Sequence, residues 1–192
     1  IATGGYPHDT RRVLETHAHV RSGSRHLSRA PLANTGDGIR MAEAVGAHFE
    51  RNLYSPAALT PVSFVKRRDG SLSFQPHLFD RTKPGFIAVT PEGRRFGDEA
   101  VSYHDFVLSM IEHCNSPQGV RCYLICDHRA LRTYGMGAAR QAPLPIGRYL
   151  RSGYLVSGRT PQDLGEKLGM NGAVLAQTIA RYNEGAAQGR DP

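Results

Sequence analysis

A short apolar run, Phe86-Ile87-Ala88-Val89-Thr90, is halted by Pro91-Glu92-Gly93 and followed by a helical pattern. This junction constrains the chain more than any other stretch. β-Branched and aromatic residues bounded by turn formers read as a buried strand. Beyond the turn come Arg94, Arg95 and Phe96, then an acidic pair, Asp98 and Glu99. Tyr103, Phe106, Val107 and Met110 then recur at helical spacing. Cationic, acidic and phenolic groups therefore gather at a strand-to-helix junction, where a site can be held rigidly. Chemistry is expected here.

The flanking signals are of the same kind. Asp9 reads as the cap of a helix reaching Thr16 or His19, and the Ser-, Arg- and Gly-rich stretch Arg21 to Leu32 reads as a loop. Asn34-Thr35-Gly36-Asp37-Gly38 leads into a helix over Ile39–Ala47 with Ile39, Ala42, Val45 and Gly46 on one face. Asp37 there is either a helix cap or part of a backbone site for a phosphate or polyol. Pro61–Lys66 and Ser71–Phe74 form a hairpin about Arg68-Asp69-Gly70. Tyr123–Asp127 is a short buried strand, with Asp127 capping a helix that holds Leu131 and Tyr134 and breaks at Gly135-Met136-Gly137. Leu144–Leu150 reads as a short helix with Pro145 in its first turn. Thr160-Pro161-Gln162-Asp163 opens another. Asn171 opens the last, with Leu175, Ile179, Tyr182 and Ala186 on its apolar face. Helices mixed with a few short strands make an α+β chain with a mixed small sheet.

Composition excludes several classes. A chain of 192 residues with 40% apolar and 21% charged residues supports one globular domain. No apolar run is long enough for a membrane span, and no basic region precedes an apolar core at the N-terminus. Cys114, Cys122 and Cys126 are an odd count, so a disulfide framework is not expected and a cytoplasmic location is. The net charge of +7 comes from scattered arginines rather than a basic stripe, so nucleic acid is not an expected partner. The N-terminal Ile1-Ala2-Thr3 reads as the end of a buried strand entered from upstream, and no initiating methionine is present. The chain is accordingly read as a piece of a longer protein.

Weaker constellations carry less. His17 and His19 have no carboxylate or further histidine placed in sequence to complete a metal site, so no metal is expected. Cys122 and Cys126, read as lying on one strand face, are taken as buried apolar thiols. No strand is followed by G-x-G-x-x-G, so this chain by itself has no Rossmann dinucleotide fingerprint.

Five segments occur in order: Ala2-Thr3-Gly4-Gly5-Tyr6; Asn34-Thr35-Gly36-Asp37-Gly38; Gly93-Arg94-Arg95-Phe96 with Glu99; Leu124-Ile125-Cys126-Asp127; and Ala180-Arg181-Tyr182-Asn183 with Gly189-Arg190-Asp191. In this the chain resembles the FAD-dependent fumarate reductase/succinate dehydrogenase-like flavoproteins, and within them the 3-oxosteroid dehydrogenases, over essentially its whole length. The resemblance implies that residues 1–5 end a strand of an FAD domain and residues 6–192 form the cap, or catalytic, domain. The main FAD site would lie outside this chain, on its own FAD-binding domain. Thr3, Gly4, Gly5, Gly36 and Asp37 would touch the cofactor.

Where fumarate reductases carry an arginine four residues after the motif glutamate, this chain has Tyr103, as the 3-oxosteroid dehydrogenases do. The resemblance thus implies dehydrogenation of a 3-oxosteroid-like cyclic ketone, with hydride transfer to flavin N5 and Tyr103 removing the proton α to the carbonyl. Phe106 and Tyr134 would line the substrate pocket. Arg94 and Arg95 are close enough in sequence either to favour the tyrosine anion or to serve as surface charge or ion pairs with Asp98 and Glu99. Two alternatives stay open. One is a small unsaturated acid as substrate, with Arg129 or Arg132 in the catalytic role. The other is an isolated chain that is an inactive binding and lid module.

Overall fold

In the computed structural model, residues 4–67, 69–116 and 119–192 are described. They form two compact units, one running to Ala58 and including the residues of 116–120, the other comprising Leu59–Asn115 and Arg121–Pro192. The expected strand end at Ile1–Thr3, with Thr3 as a cofactor contact, and Arg68 of the hairpin turn lie outside the described residues. Helices with small sheets make the chain α+β, as its sequence indicates, but in place of one mixed sheet the described strands form two separate antiparallel pairs.

The first unit contains α1 (Thr10–Thr16), α2 (Ala18–Arg21) and α3 (Asp37–Ala44). Asp9 caps α1 by accepting the Arg12 N–H. The interior of this unit is largely polar: Arg12, Thr16 and His17 are buried beside Val13. Arg12 is paired with Glu43 of α3, whose Oε2 lies 2.5 Å from its Nη2, and with Asp9, whose Oδ2 lies 3.2 Å from its Nε without forming a hydrogen bond. Its guanidinium also sits 4.9 Å from the Phe49 ring centroid. A buried guanidinium needs this many partners because an unpaired charge there would be costly.

Two sequence expectations for α3 are corrected. Gly36, in the left-handed region at φ 81°, is the cap residue and makes no side-chain hydrogen bond. Asp37 is the first helical residue instead, and it binds the Thr35 hydroxyl and Arg40. The helix also ends at Ala44, and its apolar face is covered only in part: Ile39 and Ala42 are half-buried, while Val45, past the helix end, is 86% exposed.

The second unit opens with a hairpin of β1 (Val62–Lys66) and β2 (Leu72–Pro76), in which Phe64 faces Phe74. Asp69 closes its turn by accepting both the N–H and the hydroxyl of Ser71. A second antiparallel pair joins β3 (Phe86–Val89) to β4 (Tyr123–Cys126). All of β3 is buried, which is why its sequence is continuously apolar rather than alternating. Ile87, Val89 and Ile125 pack with Met170 and Leu175. Leu175 belongs to α8 (Gly172–Ala187), which follows α7 (Pro161–Lys167). Thr160 and Asn171 cap these two helices as expected.

Between the sheet strands runs α4 (Tyr103–His113), and after β4 come α5 (His128–Tyr134), capped by Asp127, and α6 (Gly147–Arg151). The expected helix over Leu144–Leu150 starts later, at Gly147. Leu144 precedes a proline and is disfavoured from helical geometry. Cys122 lies outside β4, so it and Cys126 are not two positions on one strand face.

Candidate functional site

The strand–turn–helix junction folds back on itself. Thr90 N–H bonds Arg94 O, and the bridge between Val89 and Arg95 lays Arg95 beside β3. Glu99, 5% exposed, returns to the same place and accepts the Ala88 N–H at 2.6 Å. Arg95 Nη2 lies 2.5 Å from Glu99 Oε2, and Arg95 also pairs with Asp191. Hydrogen bonds from Arg95 to Glu99 and Asp191 hold the guanidinium charged well above its ordinary range, against the opposing effect of burial. Arg95 is therefore committed to these carboxylates. Arg94 and Arg181 are exposed and, with Phe96, Tyr182 and Asp191, line a cavity of about 560 Å³.

A residue that sequence reading passed over supports the segment before α4. Arg81 is 2% exposed; it donates to the carbonyls of Glu99 and Val101 and lies 4.9 Å from the Phe106 ring centroid. Burial lowers its pKa from the ordinary value. Its sequence context, Asp80-Arg81-Thr82, is that of any polar loop, so no local signal distinguishes it. Ser102 caps α4 through the Asp105 N–H. His104 Nδ1 accepts the Leu59 N–H at 3.1 Å, which anchors the helix to the segment before β1.

This framework presents Tyr103 at the first position of α4, 39% exposed. Phe106, one turn on, is buried at 3% and faces Phe96, with ring centroids 5.4 Å apart. It supports the helix from beneath. Tyr134, at the end of α5, is 41% exposed, and among the described residues no hydrogen bond or ring contact joins it to Tyr103. Arg132 of α5 donates to Leu144 O at 2.7 Å. Burial pushes the thiols of Cys114 and Cys126 up to about 12, so neither is a reactive thiolate at neutral pH.

In the first unit, Gly4 and Gly5 are exposed and the second glycine turn closes against the first. Gly36 N–H bonds Gly5 O at 3.2 Å, and His8 N–H bonds Asn34 O at 3.1 Å. A Cβ at Gly36 would lie 3.2 Å from Tyr6 Cβ, at a φ that side chains rarely adopt, so this closure requires glycine. Two clasped glycine turns with open backbone suit close approach by a flat or polyol-bearing group. Asp37 stands exposed at the rim.

The same unit gathers His17, His19 and His26. The His17 and His26 ring centroids are 4.7 Å apart, and His19 Nε2 is 3.3 Å from His26 Nδ1. Among the described residues, no group of three or more potential ligands is placed to hold a metal ion. Burial, reinforced by the neighbouring imidazoles, lowers His19 to about 4, and burial likewise lowers His17 and His26. A histidine depressed in the folded state stabilises the fold above its unfolded value, and that contribution is lost as pH falls from 6.5 towards 4. Acidification from pH 7 to 4.5 should therefore cost this unit on the order of 2 kcal/mol. Hydrogen-exchange protection of the α1 amides checks this. It should drop over that range, and less so in His26→Asn; unchanged protection in the wild type would refute it.

Comparison with known proteins decides the family. A family model described as FAD binding domain matches residues 1–192. The chain belongs to the FAD binding domain family. FAD is the cofactor of this family, and its members here are oxidoreductases of the fumarate reductase and ketosteroid dehydrogenase type. The 4-oxocyclohex-2-ene-1-carboxylate 5-dehydrogenase of Sinomonas cyclohexanicum is 35% identical over 192 residues, covering all of this chain and 32% of that protein. The fumarate reductase (cytochrome) of Shewanella frigidimarina is 25% identical over 191 residues, covering all of this chain and 29% of that protein. The structure of 3-ketosteroid delta1-dehydrogenase from Sterolibacterium denitrificans, in complex with 1,4-androstadiene-3,17-dione, matches with a TM-score of 0.72 at 23% identity. That match covers 99% of this chain and 33% of that one, and it is a likeness of fold. This member of the FAD binding domain family thus spans about a third of the length of these relatives. Among its described residues, no helix is long and apolar enough to cross a membrane.

Proposed function

We propose that this chain is the substrate-side, or cap, part of an FAD-dependent dehydrogenase that desaturates a cyclic ketone. Tyr103 is the base that takes the proton from the carbon α to the carbonyl. The observation that carries this reading is an accessible phenol at the first turn of a helix whose approach is braced by Arg81 and capped by Ser102. A base must be reachable yet fixed in orientation, and this position offers both. The flavin, when bound, supplies the hydride acceptor. Gly4, Gly5, Gly36 and Asp37 are the residues of this chain that would approach it, with the main site provided by the remainder of the protein. The chain alone would then have no turnover.

Arg95 does not act on the phenol in this reading, because Glu99 and Asp191 occupy it. Residues 1–5 as the end of a cofactor-domain strand and residues 6–192 as the cap remain part of the proposal. The relative acting on an oxocyclohexene carboxylate supports a compact ring as substrate, and a steroid nucleus is the larger variant of the same ketone chemistry.

A second reading, a small unsaturated acid as substrate, is favoured by Arg94 and Arg181, which line the same cavity. Anaerobic mixing of the intact flavoprotein with 4-oxocyclohexanecarboxylate, a 3-oxosteroid or succinate separates the two. Bleaching of the flavin bands by either ketone is expected. Bleaching by succinate alone would overturn the ketone assignment.

A further inference from the structure

Ser63, His77 and Asp80, which the dehydrogenase reading does not use, form a continuous hydrogen-bonded relay. Ser63 is the second residue of β1, and its hairpin partner is Gln75 of β2. The chain leaves β2 at Pro76, and His77 N–H returns to Pro61 O at 2.9 Å, which brings the imidazole over the first strand. Ser63 Oγ is 2.7 Å from His77 Nε2, and His77 Nδ1 is 2.7 Å from Asp80 Oδ2.

The direction of this relay follows from its ends. Burial raises the Asp80 carboxyl, but hydrogen bonds from His77, Gly137 and Arg81 bring it below the usual carboxylate range. An ionised carboxylate only accepts, so His77 Nδ1 carries the proton facing it. In the neutral imidazole Nε2 is then the acceptor, and the Ser63 hydroxyl must donate to it. At the other end Tyr154 Oη, 2.7 Å from Ser63 Oγ, accepts the Ala138 N–H at 2.9 Å. The phenol proton is thereby directed at Ser63. The 137–138 turn closes tightly on the relay: a Cβ at Gly137 would lie 2.0 Å from Tyr154 Oη and 2.8 Å from His77 Cε1. Ser63 is only half-buried, and the side chains of His77 and Asp80 are 12% and 17% exposed, so small reagents have access.

A hydroxyl bonded to a base that is itself oriented by a carboxylate is the arrangement that activates serine, and it is recognised by geometry rather than by position in the chain. We propose that Ser63 is an activated serine that accepts acyl groups from small activated esters, with His77 as its base and Asp80 as the residue that orients His77. Ser63 Oγ bonds the carbonyl carbon while its proton passes to His77 Nε2. The ester C–O bond breaks, and the alcohol leaves with that proton. Water, deprotonated by the same imidazole, then cleaves the acyl-serine, releasing the acid and restoring the hydroxyl. Tyr154 O–H is the donor within reach of the oxygen that gains negative charge.

The test uses the intact, flavin-loaded protein and two probes, a fluorophosphonate and p-nitrophenyl acetate. A phosphonyl adduct on the peptide containing Ser63 is expected by mass spectrometry. It should be absent in Ser63→Ala, with flavin content unchanged. His77→Gln should slow both labelling and ester hydrolysis by about a hundredfold or more. Wild-type protein that retains its flavin yet carries no adduct on Ser63 would overturn the proposal. So would labelling at an unchanged rate in His77→Gln, since a relay that merely ties the hairpin to the 137–138 turn needs the hydrogen bonds but not the reactivity.

Discussion

Tyr103→Phe in the intact protein should lower ketone dehydrogenation by roughly a hundred- to ten-thousandfold, the range of a lost general base. The change removes one oxygen and leaves the ring. Among the described residues the Tyr103 hydroxyl makes no hydrogen bond, and the ring is 39% exposed at the start of α4. Neither the cap at Ser102 nor the Arg81 contacts behind it involve that oxygen, so flavin content, the visible spectrum and thermal stability should stay at wild-type values. The loss belongs in kcat, with KM little changed, because the phenol acts on the proton in flight rather than on the bound ring. Stopped-flow bleaching of the flavin by the ketone reads the step directly. Bleaching within a few-fold of wild type would remove Tyr103 from the mechanism.

Glu99→Ala should be the most destabilising single change in the second unit, by roughly 3–5 kcal/mol. Glu99 is nearly sealed from solvent and takes three jobs at once. It accepts the Ala88 N–H from the buried strand β3, pairs with Arg95, and through its own carbonyl receives Arg81. Removing the carboxylate leaves the Arg95 guanidinium, 12% exposed in its side chain, with the more exposed Asp191 carboxylate and the Pro192 carbonyl. It also orphans a buried backbone donor. Urea unfolding of the wild type and of Glu99→Ala and Glu99→Gln measures this. The glutamine, which keeps an acceptor for Ala88, should recover part of the loss. A midpoint shift equivalent to less than 1 kcal/mol for the alanine variant would mean that the site admits water and the pair is already solvated.

The features that sequence alone determined are those whose causes lie within one turn or one strand. Asp9, Asp127, Thr160 and Asn171 each satisfy an N–H at the start of the helix they precede. Such bonds join residues two or three apart, so composition and order are enough to predict them. Ser102 caps α4 by the same kind of bond, beside a candidate catalytic group, although sequence reading did not single it out. The hairpin about Asp69-Gly70 and the buried strand Phe86–Val89 are legible for the same reason. The order of the glycine turns and the Arg-Phe-x-x-Glu segment carried the family.

Tertiary structure decided what is joined across long separations. Apolar spacing over Ile39–Ala47 indicates an amphipathic helix, but it does not say whether another surface covers Val45. Arg94 and Arg95 are indistinguishable in sequence. Both line one cavity, but Arg95 is bound by Glu99 and Asp191, the second of these near the end of the chain, while Arg94 is exposed. Arg12 with Glu43, Arg81 with the carbonyls of Glu99 and Val101, and Ser63 with His77 and Tyr154 are likewise unions of distant residues. A charged or hydroxylic side chain carries no local mark of its partner. Its cost when unpaired and buried is settled only once the fold closes around it, which is why these contacts could be read from the structure and not from the chain.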